Sequence, residues 1–163
     1  MSVVTPPVVR QHGISDDLLA LTTLTDIAYI DCHVLETTTA TTRTAQQWAH
    51  AIMADVPDTI RDQLAAAWSR IELDLHPGAP DTVAGWRIAL ATPERVVLRA
   101  NSGLGFHGEL VVEVDDGTVR IATFVAMGES WTPAAWFSIV PGHLAFVRSL
   151  LERAGQRATG PAL

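Results

Sequence analysis

From Ile27 to Leu35 apolar and polar positions alternate, with Ala28, Ile30, Cys32 and Val34 on one side and Tyr29, Asp31 and His33 on the other. A period of two predicts a strand with one covered face, and the polar set is expected to face solvent. Farther along the period lengthens. Ala45, Trp48, Ala49, Ile52 and Met53 recur at helical spacing, as do Ile60, Leu64, Ala67, Trp68 and Ile71, so two short amphipathic helices are predicted. The threonine-rich stretch from Thr37 to Thr44 forms a loop that supplies N-cap hydroxyls. Pro57 separates the two helices and suits the first turn of the second. The run His76-Pro77-Gly78-Ala79-Pro80 then breaks the chain.

Four strand-like runs follow, at Val83–Leu90, Glu94–Ala100, Phe106–Val114 and Val119–Met127, with a tight turn signalled by Asp115-Asp116-Gly117. Each has an apolar face: Trp86, Ile88 and Leu90; Val96, Leu98 and Ala100; Phe106, Leu110, Val112 and Val114; Ile121, Thr123 and Val125. The opposite faces carry Arg87, Arg95, Arg99, Glu109, Glu113 and Arg120, so this antiparallel meander is expected to be wet on one side only. A final helix is predicted from Thr132, as N-cap, and Pro133, with an apolar stripe through Trp136, Ile139, Val140, His143, Val147, Leu150, Leu151 and Ala154. Pro141 is expected to kink it and Gly155 to end it. A one-sided sheet and one long amphipathic helix bury each other most simply if the sheet curls around the helix, giving an α+β fold.

At 163 residues the chain is expected to form one domain, over 26–157, with an N-terminal arm at 1–25 that holds one short helical turn and a tail at 158–163. Cys32 is the only cysteine, which excludes an intrachain disulfide and a thiolate zinc cluster. Met1 to Arg10 contains no apolar core of a signal peptide, and no run approaches the ~18 apolar residues of a membrane span, so a soluble cytoplasmic protein with no membrane partner is expected. The net charge is −7, and the basic residues are arginines scattered along the chain. Nucleic-acid binding needs a positive stripe, so no nucleic-acid partner is expected. A homodimer is compatible with the sequence.

The order of elements resembles the START-like, or SRPBCC, superfamily with its helix-grip fold. The resemblance covers about residues 26–155 and is narrower to a small bacterial subgroup of that superfamily. It rests on Glu94-Arg95-Val96-Val97-Leu98, Leu110-Val111-Val112, Ala122-Thr123 and the segment Trp136-Phe137-Ser138-Ile139-Val140-Pro141-Gly142-His143. Where the subgroup often places an acidic residue and a histidine, this chain has Asn101 to His107. The resemblance implies a cavity between helix and sheet that takes an apolar small molecule, in a superfamily whose members include lipid carriers, polyketide cyclases and co-chaperone domains.

His143 lies on the apolar stripe of the last helix and is expected to face that cavity, either as a polar contact for a ligand or as a packed residue bonded to a carbonyl. Thr123 sits between Ile121 and Val125 on an apolar face and could bond a ligand or a neighbouring strand. His107 and Glu109, two apart on one strand, are expected on the wet face. No histidine pair has ligand spacing, no glycine-rich loop opens a helix and no Gly-x-Ser-x-Gly elbow is present, so neither metal nor cofactor is expected. The leading expectation is an apolar-ligand binding protein whose pocket is lined by Trp86, Leu98, Phe106, Leu110, Thr123, Trp136, Val140 and His143. Two alternatives stay open: a cyclase- or dehydratase-type enzyme using His143 with Thr123 or Glu109, and an interaction module whose interior is filled by side chains.

Overall fold

The computed structural model describes residues 8–11, 13–127 and 133–159. The chain runs β1 (Val8–Gln11), α1 (Asp16–Leu19), β2 (Ile27–Glu36), α2 (Ala45–Met53), α3 (Asp58–Arg70), β3 (Thr82–Val83), β4 (Trp86–Ala91), β5 (Arg95–Asn101), β6 (His107–Asp115), β7 (Thr118–Ala126) and α4 (Pro133–Thr159). Several boundaries follow from local chemistry. Thr44 caps α2 in a capping box: its hydroxyl accepts from the Gln47 N–H, and the Gln47 side chain accepts from the Thr44 N–H. The expected strand from Val83 to Leu90 is instead a hairpin, β3–β4, because Ala84 and Gly85 both take positive φ (51° and 87°) between the paired residues Val83 and Trp86. Two left-handed residues in a two-residue loop match the twist of the flanking strands.

The strands form one antiparallel sheet in the order β1-β2-β7-β6-β5-β4-β3. This curved sheet and the long C-terminal helix make a helix-grip α+β fold. Its main core lies on the concave face, where Leu35, Val96, Leu98, Leu110, Val112, Val119 and Ile121 meet Trp48 and Ile52 of α2 and Val147, Leu151 and Ala154 of α4. Trp48 is fully buried and its indole N–H donates to the Ala40 carbonyl at 2.8 Å, so this large ring brings no unpaired polar atom into the core. α4 runs through Pro141, which removes one intrahelical hydrogen bond, and continues past Gly155 to Thr159. The expected cap at Thr132 lies outside the described residues. No helix among the described residues is long and apolar enough to cross a membrane.

Two further expectations change. A register shift between Ile88 and Leu90 breaks the alternation of β4, and Leu90 lies exposed at 44% rather than facing inward. The convex face of the sheet is also not simply wet. Residues 8–11 and 13–24, which the sequence presents as part of an arm, supply the edge strand β1 and then α1, whose Leu18 packs with Ile14, Leu21 and Leu24 over Cys32, Val34, Val97, Val111, Ala122 and Phe124. Glu109, expected on the surface, is completely buried beneath this cover. Its carboxylate accepts from the Thr22 hydroxyl (2.7 Å), the Thr23 N–H (2.8 Å), the Thr23 hydroxyl and the Arg99 guanidinium (2.9 and 3.0 Å). Farther out on the same face, Arg95 and Arg120 flank Glu113 across adjacent strands at 3.0 and 3.1 Å.

Glu109 therefore ties the 13–24 cover to the sheet. Replacing Glu109 by Leu should cost about 1–3 kcal/mol, less than breaking a fully buried pair because Arg99 is partly solvated. Limited proteolysis with fragment masses should show faster cleavage within residues 13–24; an unchanged cleavage pattern would contradict the role of Glu109 as the tie.

Candidate functional site

β2 shows most clearly how the site departs from the alternating pattern. Its residues Ile30, Cys32 and Val34 do form one face, but that face packs under the α1 segment on the convex side. The other face, Tyr29, Asp31 and His33, points to the concave side beneath α4, so the set expected in solvent is inside. Asp31 and His33 are buried, at 5% and 2% exposure. The polar residues line up with α4 because Asp31 pairs with Thr123 and His33 with Ile121 across β7, both on the concave face of the sheet.

A buried carboxylate needs donors. Asp31 Oδ2 accepts from Tyr29 Oη at 2.7 Å and from His143 Nε2 at 2.8 Å. Its Oδ1 lies 3.9 Å from His33 Nδ1, too far for a hydrogen bond, and neither atom has a partner among the described residues. Burial alone would raise the Asp31 carboxyl, but the hydrogen bond and charge of His143, the hydrogen bond from Tyr29 and the charge of His33 together hold it below the usual carboxylate range. Burial pushes His33 below the usual histidine range, with Asp31 opposing and the charges of His143 and Arg148 adding to the fall. Tyr29 is pushed upward by burial and by its bond to Asp31, so it stays a protonated donor. Aromatic rings frame this cluster: Trp136 stands edge-on to Tyr29 at 5.3 Å and tilted against His143 at 5.9 Å and Phe106 at 5.7 Å.

Next to this polar cluster, between the concave face, α3 and α4, lies a cavity of about 540 Å³. Small-molecule sites typically occupy roughly 300–1,000 Å³. Of the residues singled out from sequence, Trp86, Phe106, Leu110, Thr123, Trp136 and His143 stand on its wall. Leu98 does not reach it, being fully buried in the main core, and Val140 packs instead against the Phe106–Val125–Trp136 cluster. The pattern reading missed the wall built by α3, namely Leu64, Ala67 and Trp68 with Ile71 just beyond it, although those residues already stood out as a helical stripe. It also missed Asp31 and Tyr29, because nothing in an alternating strand says which face will be inside. His107 is exposed, with Nδ1 2.8 Å from Asn101 Oδ1, and has no link to Glu109.

Thr123 Oγ1 and Trp86 Nε1 are buried without a partner among the described residues. Cys32, on the far side of the sheet, is pushed up to about 11 by burial, so it is a thiol and not a ready nucleophile. Among the described residues no three histidine, cysteine or acidic side chains converge as metal ligands.

No family model matches the chain, and no curated protein matches it. Among solved structures the chain is similar to the human StarD13 (DLC2) lipid transfer and protein localization domain, at 11% identity over 99% of this chain and 88% of that one, with a TM-score of 0.24. A likeness this loose transfers nothing to the present chain.

The two downward shifts predict acid sensitivity. In the unfolded chain His33 takes up a proton as the pH falls through about 6.5, and the folded chain resists it. The stability this contributes is complete above that value and declines below it. Asp31 acts in the same direction from about pH 3.9 downward, since its folded form also binds the proton less readily. His33→Leu should therefore show a smaller loss of melting temperature than the wild type between about pH 7.5 and about pH 5.5. Equal losses in the two proteins would contradict a buried, neutral His33.

Proposed function

We propose that this protein binds an apolar or lipid-like small molecule in the cavity between sheet and α4, acting in the cytoplasm, with His143 as the polar contact. The observation that carries the reading is the cavity of about 540 Å³, walled by Trp86, Phe106, Leu110 and Trp136, with a single partly buried histidine on its rim. Each methylene moved from water to such a wall contributes about 0.8 kcal/mol, or roughly fourfold in affinity. A series of linear alcohols should therefore displace Nile red from the protein with affinity rising about fourfold per methylene until the cavity is full. Leu110→Trp, which pushes a larger ring in from the sheet, should end the series at a shorter chain. Affinity independent of chain length, or no displacement at all, would overturn the reading.

A second reading is favoured by one observation, the 2.8 Å bond between Asp31 and His143 beside the cavity. A carboxylate that orients and stabilises an imidazole is a workable general acid–base pair, which is what a cyclase- or dehydratase-type enzyme would use. Its histidine partner would be Asp31 rather than Thr123 or Glu109. The readings part on the fate of the ligand: mass spectrometry of a co-purified molecule after incubation finds it unchanged for a binding protein and altered for an enzyme.

A further inference from the structure

The polar groups on the cavity wall are few, and most are committed or turned away. Gln63, Arg70 and Ser138 stand at exposed positions. The Glu109 carboxylate is engaged by Arg99, Thr22 and Thr23, and the Thr123 hydroxyl oxygen is buried. His143 is different. One ring nitrogen, Nε2, bonds Asp31 at 2.8 Å, while Nδ1 makes no hydrogen bond among the described residues and is not buried. A neutral imidazole has one donor and one acceptor nitrogen, and the partner of one decides the role of the other.

Asp31 is the stronger determinant here. Held as a carboxylate by Tyr29 and His143, it can only accept, so Nε2 must carry the proton. In the neutral ring Nδ1 is then an acceptor, on a residue that stands on the cavity wall. An acceptor of this kind rewards a ligand that brings a hydrogen-bond donor, because a donor buried in that cavity without it would be orphaned.

We propose that Asp31 determines ligand specificity: by holding the proton on Nε2 of His143 it leaves Nδ1 as an acceptor, so the cavity selects apolar molecules that end in a hydroxyl. Asp31 acts through His143 and is a positioning residue. This rests on the reading that the cavity binds an apolar molecule, and the test separates the two.

The test compares a linear primary alcohol with its isomeric methyl ether, which has the same atoms and an acceptor but no donor, by Nile red displacement at about pH 9, well above the ordinary histidine range. In the wild type the alcohol should bind about two- to tenfold tighter. In His143→Phe the ratio of alcohol to ether affinity should fall to about one or below, since the acceptor nitrogen is gone. Asp31→Asn should shrink the preference, because an amide can donate as well as accept and no longer fixes the proton on Nε2. A merely structural role for Asp31 would change both affinities together and leave their ratio alone. Equal binding of alcohol and ether by the wild type, a measurement that needs no variant to fold, would overturn the specificity proposal while leaving the apolar-ligand reading intact. Binding of neither would overturn both.

Discussion

A carboxylate placed on the inner face of a central strand and covered by a helix has to be matched by donors, and the geometry around Asp31 follows from that requirement. Water is not at hand to solvate it, and an unpaired buried charge costs far more than a folded domain has to spare. Tyr29, two residues earlier on the same strand, supplies one donor, and His143 supplies the other from α4. The second bond has a mechanical consequence. The C-terminal half of α4 is held by Val147, Leu150, Leu151 and Ala154 in the main core. Nearer its N-terminus Phe137 and Ile139 are exposed, while Trp136 and the Asp31–His143 bond join the helix to the sheet. The cavity lies beside that polar junction.

The same junction explains what was and was not legible in the chain. The α+β class, the two short helices, the meander and the closing helix follow from periodicity, because each of those segments has one apolar face and one place to bury it. β2 does not obey that logic. It is covered on both sides: its apolar residues Ile30, Cys32 and Val34 meet the α1 segment, and its polar residues Tyr29, Asp31 and His33 meet α4. Alternation states that two faces differ; it does not state which is inside when both are buried. The cover comes from residues 13–24, whose short elements carry almost no periodic signal. Glu109 was misplaced for the same reason. The wall residues Trp86, Phe106, Leu110, Trp136 and His143 were reachable because each sits on a face whose partner was already identified.

The two faces also divide the chemistry. On the convex side Glu109 and Glu113 are matched by arginines and threonines in ion pairs and hydrogen bonds that close on themselves. On the concave side the matching is incomplete: Asp31 Oδ1, His33 Nδ1 and Thr123 Oγ1 are buried without partners among the described residues, within one layer of β2 and β7. Buried polar groups left unmatched are costly; Trp86 Nε1 on the cavity wall is another, and Thr118 Oγ1 at the start of β7 is one away from it. That difference separates the concave face around the Asp31–His143 junction from ordinary packing.

The central claim is that Asp31 sets the protonation pattern of His143. Long-range ¹H–¹⁵N correlation of the imidazole rings at about pH 9, above the ordinary histidine range, reads it directly, with Asp31→Asn assigning the affected ring. The account predicts that the neutral form of His143 carries its proton on Nε2 and has an acceptor-type Nδ1, a pattern altered when Asp31 is replaced. A ring carrying its proton on Nδ1, or a pattern indifferent to Asp31, would contradict it.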